Sequence, residues 1–163
     1  MIRDVEAHDA ADIARIYDYY VLDSTASFET EPLGTERMSE RIASICGRFP
    51  YIVCEQDGHI VGFCYAHEWK ERAAYGGVWE TTVYVDRDFT GRGIGERLMR
   101  ELIKRCREQG CRALIACITA ENAASGHLHR RLGFSQVSHF KAVGLKFGRL
   151  LDVTDYQLML LEK

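Results

Sequence analysis

Between Glu80 and Arg107 the chain places its most chemically suggestive residues in one run. It reads Glu80-Thr81-Thr82-Val83-Tyr84-Val85-Asp86, then Arg87-Asp88-Phe89, then Thr90-Gly91-Arg92-Gly93-Ile94-Gly95, and then a long amphipathic stretch. A β-branched and aromatic strand enters a glycine-rich turn, and the turn opens a helix. Glycines let backbone approach a ligand closely. The free N–H groups of a first helical turn favour negative charge. The chemistry that suits this spacing is a phosphate cradle. A P-loop needs Lys followed by Ser or Thr after its last glycine, whereas Glu96 and Arg97 follow Gly95. A dinucleotide fingerprint needs G-x-G-x-x-G, but its third glycine would fall on Glu96 or Leu98. A pyrophosphate loop for coenzyme A asks for a strand edge that pairs with the pantetheine arm, then G-x-G-x-G, then a helix. That order is present from Glu80 onward. A glycine turn with no ligand stays open on these residues alone.

The elements that must position this loop follow from pattern. A chain of 163 residues reads as one domain spanning 1–163, long enough to bury a substantial core. Hydrophobic residues at 47% and charged residues at 28% match an ordinary globular protein. A net charge of −3 with no basic block argues against nucleic-acid binding. No apolar run approaches a membrane span. The opening Met1-Ile2-Arg3-Asp4-Val5 enters structure without a signal-peptide core, so a cytoplasmic location is expected. Six cysteines without a C-x-x-C pair read as small buried hydrophobes in a reducing compartment. His127 and His129 lie on different helix faces, and no metal site is expected.

Strands are predicted at Ile2–Val5, Tyr51–Glu55, Ile60–Glu68, Val78–Asp86, Arg112–Thr119, Phe134–His139 and Leu150–Leu161. Asp57-Gly58 marks a hairpin turn. Helices are predicted from Asp9 to Leu22 with Asp9 as N-cap, and from Thr35 to Gly47 capped by Thr35. The helix after the glycines buries Ile94, Leu98, Leu102, Ile103 and Cys106, and Asn122–Leu132 is a shorter one. Residues 143–149 read as a connecting loop. The order implies an α/β (α+β) architecture, a mixed sheet of about seven strands flanked by about four helices.

That order, with the glycine loop after the fourth strand, resembles the GCN5-related N-acetyltransferase (GNAT) superfamily. Further blocks resemble its phosphinothricin and methionine sulfoximine acetyltransferases: Phe28-Glu29-Thr30-Glu31-Pro32-Leu33, Tyr75 with Glu80, Asn122-Ala123-Ala124-Ser125, His129-Arg130-Arg131-Leu132-Gly133-Phe134, and Val143 to Arg149 with Asp152. The resemblance implies acetyl-CoA as cosubstrate, no metal, and direct attack by an amine without an acetyl-enzyme. It also implies a homodimer and a small amino-acid-like acceptor.

The resemblance assigns roles to residues, each beside a plainer reading. Backbone groups of Val83, Tyr84 and Val85 would pair with pantetheine. Amides from Gly91, Arg92, Gly93, Ile94, Gly95 and Glu96 would hold pyrophosphate. Asn122, with Ser125, would hold the pantetheine; the plainer reading of Asn122 is a helix N-cap. Glu80 is the candidate general base, on a central strand where burying a carboxylate is costly without a purpose. The alternative is an edge-facing or salt-bridged glutamate. His129 would return a proton to the departing thiolate, and Tyr84 is a further donor; both could be structural. Phe28, Arg72, Tyr75 and Lys146 are the candidate acceptor residues, with core packing or exposed charge as alternatives. Gly76 and Trp79 depart from the family pattern, which often reads Tyr-Arg before the strand. The missing Arg would have clamped a carboxylate. Other acceptors (a polyamine, an aminoglycoside, a peptide N-terminus) and a non-catalytic CoA-binding domain are the competing functions.

Overall fold

The computed structural model describes residues 1–161, and they follow the expected order of strands and helices. The elements are β1 (Ile2–Asp4), α1 (Ala10–Asp23), α2 (Gly34–Ile45), β2 (Tyr51–Gln56), β3 (His59–Glu68), β4 (Val78–Val85), α3 (Ile94–Glu108), β5 (Ala113–Thr119), α4 (Ala123–Arg131), β6 (Ser135–Lys146) and β7 (Arg149–Met159). The strands form one seven-stranded sheet in the order β1-β2-β3-β4-β5-β7-β6.

Side chains alternate across a strand, so each face of the sheet needs its own cover. On one face, the α3 stripe of Ile94, Leu98, Leu102, Ile103 and Cys106 packs on Cys64, Leu114 and Tyr156. On the other, Ile13 and Ile16 of α1 with Met38 and Ile42 of α2 cover Val53 and Phe63. In β4, Val83 and Val85 point toward α3, and Tyr84 points toward α1 and α2. By alternation Glu80 and Thr82 share the Tyr84 face.

One junction decides where a ligand can enter. β4 and β5 run parallel and pair only from Val78–Glu80 to Ala113–Ile115. β4 stays paired to β3 through Val85. Beyond Glu80 the two parallel strands part. The edge of β4 from Thr81 onward thus has no strand beside it in the middle of the sheet. Buried backbone groups need partners, and an extended ligand could supply them.

Three local expectations change. Asp9 precedes α1 but makes no side-chain bond to that helix. Its carboxylate instead takes two bonds from the Arg3 guanidinium, each 2.9 Å, and one from the Glu6 N–H at 2.8 Å. Burial works to raise its pKa, but these donors prevail and hold the carboxyl below its usual range. Thr35 does not cap α2, which begins at Gly34. Asp18 of α1 takes that role from a distance, accepting from the N–H groups of Leu33 at 2.8 Å and Gly34 at 3.0 Å. The predicted loop at 143–149 is mostly strand, because β6 continues to Lys146 with register shifts after Gln136 and Phe140. Asp152 accommodates the second irregularity by accepting from Ala142 N–H and lying 2.8 Å from His139 Nε2.

Candidate active site

The glycine loop forms one cleft of about 440 Å³, lined by Val83–Val85, Gly91, Gly93–Glu96, Asn122 and Ser125 among others. Gly91 and Gly93 sit at φ of 75° and 76°, and a Cβ on either would meet nothing within 4 Å. Glycine is therefore demanded there by backbone conformation, and the surface it leaves is open. The first helical bond of α3 runs from Arg97 N–H to the Gly93 carbonyl. The N–H groups of Ile94, Gly95 and Glu96 precede it and lack helical acceptors. Together with the free edge of β4, these groups fit a pyrophosphate and the arm attached to it. One strand group is already engaged, since the Tyr20 hydroxyl donates to the Val85 carbonyl. Arg92 does not line the cleft. Its guanidinium folds back over the Phe89 ring and donates to the Asp88 carbonyl. Glu96 is paired with Arg100 and Arg131.

A second cleft of about 440 Å³ lies on the other side of Tyr84, lined by Ser27, Phe28, Glu29, Glu80, Thr82, Cys117 and His129 among others. The two clefts share Ala26, Val83, Tyr84, Asn122 and Ser125 in their walls. They meet where β4 and β5 part.

Residues 24–27 form one wall, and four consecutive carbonyls there take donors from the sheet. Lys146 of β6 donates to Ser24 and Ser27 at 2.6 Å each, Thr119 of β5 to Thr25 at 2.6 Å, and Tyr84 of β4 to Ala26 at 3.2 Å. The Ser27 hydroxyl bonds Tyr17 at 2.8 Å. Phe28 then lies on β6 at Gly144, where a Cβ would come within 2.4 Å of its ring. Phe28 remains 42% exposed, so it still offers a face to the cleft.

The titratable groups have distinct settings. Glu80 is not the buried carboxylate that its strand predicts. Its side chain is 28% exposed at the last residue paired to β5, just before the two strands part, and its Oε2 lies 3.1 Å from Nε2 of His67. His129 is 2% exposed. Its Nδ1 lies 2.7 Å from the Ser125 carbonyl. A carbonyl only accepts, so Nδ1 carries the hydrogen and Nε2 bears the lone pair in the neutral ring. Burial lowers its pKa below the usual 6.5, outweighing that backbone bond. At neutral pH His129 is thus an acceptor at Nε2 and must first take up a proton to donate one there. Burial raises the Tyr84 pKa well above the ordinary value, and its hydroxyl is engaged by Ala26. Cys117 opens onto the cleft, and burial with the Asp155 and Glu80 carboxylates pushes its thiol up to about 12. Asn122 caps α4, its side-chain oxygen accepting from Ser125 N–H at 3.2 Å.

Three expected acceptor residues lie elsewhere. Lys146 is 5% exposed and fully occupied by loop carbonyls. Arg72 and Tyr75 occupy the link between β3 and β4 and line neither cleft. That link folds on itself, with Tyr75 edge-on to Trp69 at 5.3 Å and the Lys70 ammonium over both rings. His67 and Cys117 are the residues that sequence reasoning missed. The one available signal for His67 was its place in the strand opposite Glu80, and that depends on register.

A strand edge, a glycine turn and a helix start around an open cleft, joined to a second cleft with a carboxylate, can be compared with known proteins. The model of the acetyltransferase (GNAT) family matches residues 13–134. Phosphinothricin N-acetyltransferase of Alcaligenes faecalis is 39% identical over 93% of this chain and 78% of its own. The L-methionine sulfoximine/L-methionine sulfone acetyltransferase of Pseudomonas paraeruginosa is 37% identical over 98% of this chain and 94% of its own. Among solved structures, yncA of Salmonella typhimurium with its cofactor acetyl-CoA superposes with a TM-score of 0.97 at 32% identity, covering 100% of this chain and 95% of that one. With a family model over most of its length and relatives of this identity and coverage, the chain belongs to the acetyltransferase (GNAT) family.

Proposed function

We propose that residues 1–163 form a single acetyl-CoA-dependent N-acetyltransferase domain acting on the primary amine of a small amino-acid-like molecule. The acceptor class is that of phosphinothricin or methionine sulfoximine, and transfer is by direct attack in a ternary complex. The observation that carries the reading is the pair of clefts meeting at Val83, Tyr84, Asn122 and Ser125. A thioester held along β4 would end at that junction, facing an amine beside Glu80. Holding both reactants there supplies the proximity that a bimolecular transfer needs.

In this mechanism the backbone of β4 and the NH₂ group of Asn122 hold the pantetheine arm, while the amides of Gly91 to Glu96 hold the pyrophosphate. Glu80 removes a proton from the acceptor ammonium, and the freed electron pair attacks the thioester carbonyl. The carbon–sulfur bond then breaks, and the thiolate takes the second amine proton. His129, neutral at rest, accepts that proton at Nε2 and passes it on. Tyr84 serves as a wall between the reactants, because burial opposes ionisation of its phenol.

A second reading concerns the acceptor. The charged residues in the wall of its cleft are Glu80 and Glu29, the latter paired with Arg41 at 2.6 Å. An acidic wall favours a diamine or polyamine over a carboxylate-bearing acceptor. Thiol release from acetyl-CoA, measured against phosphinothricin, methionine sulfoximine, methionine sulfone, ordinary amino acids, spermidine and a short peptide, separates the two. Turnover of the first three compounds, lowered about 10²–10³-fold in Glu80→Gln with the KM for acetyl-CoA unchanged, is the expected result. Efficient turnover of spermidine alone would move the acceptor to the second class. Full turnover in Glu80→Gln would remove Glu80 as the base.

The expected homodimer draws support from Phe140, Val143, Leu145 and Leu150, which are more than half exposed on the β6–β7 hairpin. A monomeric mass in sedimentation would remove it. Among the described residues no helix is long and apolar enough to cross a membrane. We take the cytoplasm as the site of action, which fractionation of expressing cells would check.

A further inference from the structure

Glu80 does not stand alone in the acceptor cleft. His67 of β3 is its direct partner in the antiparallel ladder, with Nε2 of the ring 3.1 Å from Oε2. The other ring nitrogen, Nδ1, lies 2.9 Å from the carbonyl oxygen of Glu68. A carbonyl only accepts, so Nδ1 keeps its hydrogen whatever the state of the ring. The proton that the ring gains or loses is therefore the one on Nε2, against Glu80. Two lone pairs facing each other at this distance repel. The contact is favourable when it contains one proton, either on an imidazolium beside a carboxylate or on a carboxyl group beside a neutral ring.

We infer that His67 is the positioning residue of Glu80, and that the place of the proton in their shared contact sets the strength of the base. This rests on the reading of Glu80 as the general base. With His67 protonated, the carboxylate is held in an ion pair and is a weaker proton acceptor. With His67 neutral, the facing lone pair disfavours the bare carboxylate, and taking a proton from the acceptor relieves that repulsion. In that step one N–H bond of the ammonium breaks and its electron pair stays on nitrogen. An O–H bond forms on Glu80, and the carboxyl turns its hydrogen toward Nε2. No other bond changes. The ring is 34% exposed and borders an outer cleft with Arg41, Arg48, Lys70 and Glu71, where water takes the proton once product has left.

The charged and titratable surroundings do not duplicate this contact. On β3 the neighbours are Glu68 and Tyr65, whose ring centroid is 5.8 Å from that of His67. Arg41 and Arg48 come from α2, and Lys70 and Glu71 from the link. On the far side of Glu80 stand Cys117 of β5 and Asp155 of β7, and Glu29 of the loop, Tyr17 of α1, Tyr84 of β4 and His129 of α4 line the same cleft.

Of the two ring states, only the neutral one strengthens the base. His67→Gln keeps a hydrogen-bonding group beside Glu80 but cannot titrate. The test is the pH profile of kcat and of kcat/KM for the acceptor in wild type, His67→Gln and His67→Asn, with Glu80→Gln alongside and thermal melting as the folding check. The expected result is a pH profile altered from wild type in both His67 variants, a plateau kcat lowered about tenfold, and an unchanged KM for acetyl-CoA. A wild-type pH profile and kcat in a folded His67 variant overturns this inference while Glu80→Gln remains inactive. Wild-type activity in Glu80→Gln overturns the reading of the base itself.

Discussion

The two clefts are built in opposite ways. The cofactor cleft is drawn mainly from residues 83–96, contiguous in the chain, and its working groups are largely backbone amides at a strand edge and a helix start. The acceptor cleft takes Phe28 from a loop, Glu80 from β4, Cys117 from β5 and His129 from α4. It is shaped further by Lys146 and Gly144 of β6, and its working groups are side chains. A site made of backbone tolerates many sequences provided the chain can take its path. A site made of distant side chains changes with each of them. On the proposed function, one half would carry the common chemistry, and the other half would be free to vary in acceptor.

Substitutions that act on one half alone would break or sharpen this contrast. The largest effect is expected at Lys146, whose ammonium satisfies buried carbonyls of Ser24 and Ser27. Lys146→Met leaves them without donors, which should cost about 3 kcal/mol, or roughly 6–12 °C in Tm. The KM for the acceptor should rise with it, while acetyl-CoA affinity in titration calorimetry stays near wild type. An equal loss of both affinities would mean that the loop supports the whole site.

A smaller effect is expected in the cofactor half. Gly93→Ala forces a side chain into the left-handed region at φ 76°, costing about 1–2 kcal/mol. Acetyl-CoA binding should weaken about tenfold, with the choice among acceptors unchanged. Gly95→Ala is the control. Its Cβ would sit 3.6 Å from Leu128 and Val85, an ordinary contact, so the melting temperature should not move. If Gly95→Ala still weakens acetyl-CoA binding, the ligand itself needs that space.

The smallest effect concerns His129, which borders the junction. Burial depresses its folded pKa below 6.5. The unfolded chain then binds a proton that the folded chain refuses, so stability falls as pH drops from about 6.5 toward the folded value. Below that value no further loss comes from this group. Urea melts of wild type and His129→Gln across this range should show a shallower pH slope in the variant. Equal slopes would mean that the native ring takes up its proton as readily as the unfolded one.

Much of the fold was legible because its cues are local. The turn at Asp57-Gly58, the stripe of α3 and the alternation in β4 each follow from residues within a few positions of one another. The caps of α1 and α2 were misread for the opposite reason. Asp9 meets Arg3 of β1, and Leu33 and Gly34 meet Asp18 of α1, so nearest-neighbour rules did not apply. The irregularity of β6 depends likewise on Asp152 in the facing strand. In the site, the glycine loop was read as a possible cradle from its order, and the ligand role of Asn122 came from the family resemblance. Lys146 looked like a free cation because nothing in its own segment reveals the carbonyls more than a hundred residues earlier that occupy it.

The sequence by itself determined the strand–glycine–helix unit and with it the family chemistry, because such a unit folds through contacts among neighbours in the chain. Only the tertiary structure decided where β4 and β5 part, that Glu80 faces an open cleft with His67 across the ladder, and that Arg72, Tyr75 and Lys146 stand outside it. Those outcomes depend on strand register and on pairs far apart in sequence. A shift of one residue in a strand would turn each of its side chains to the other face.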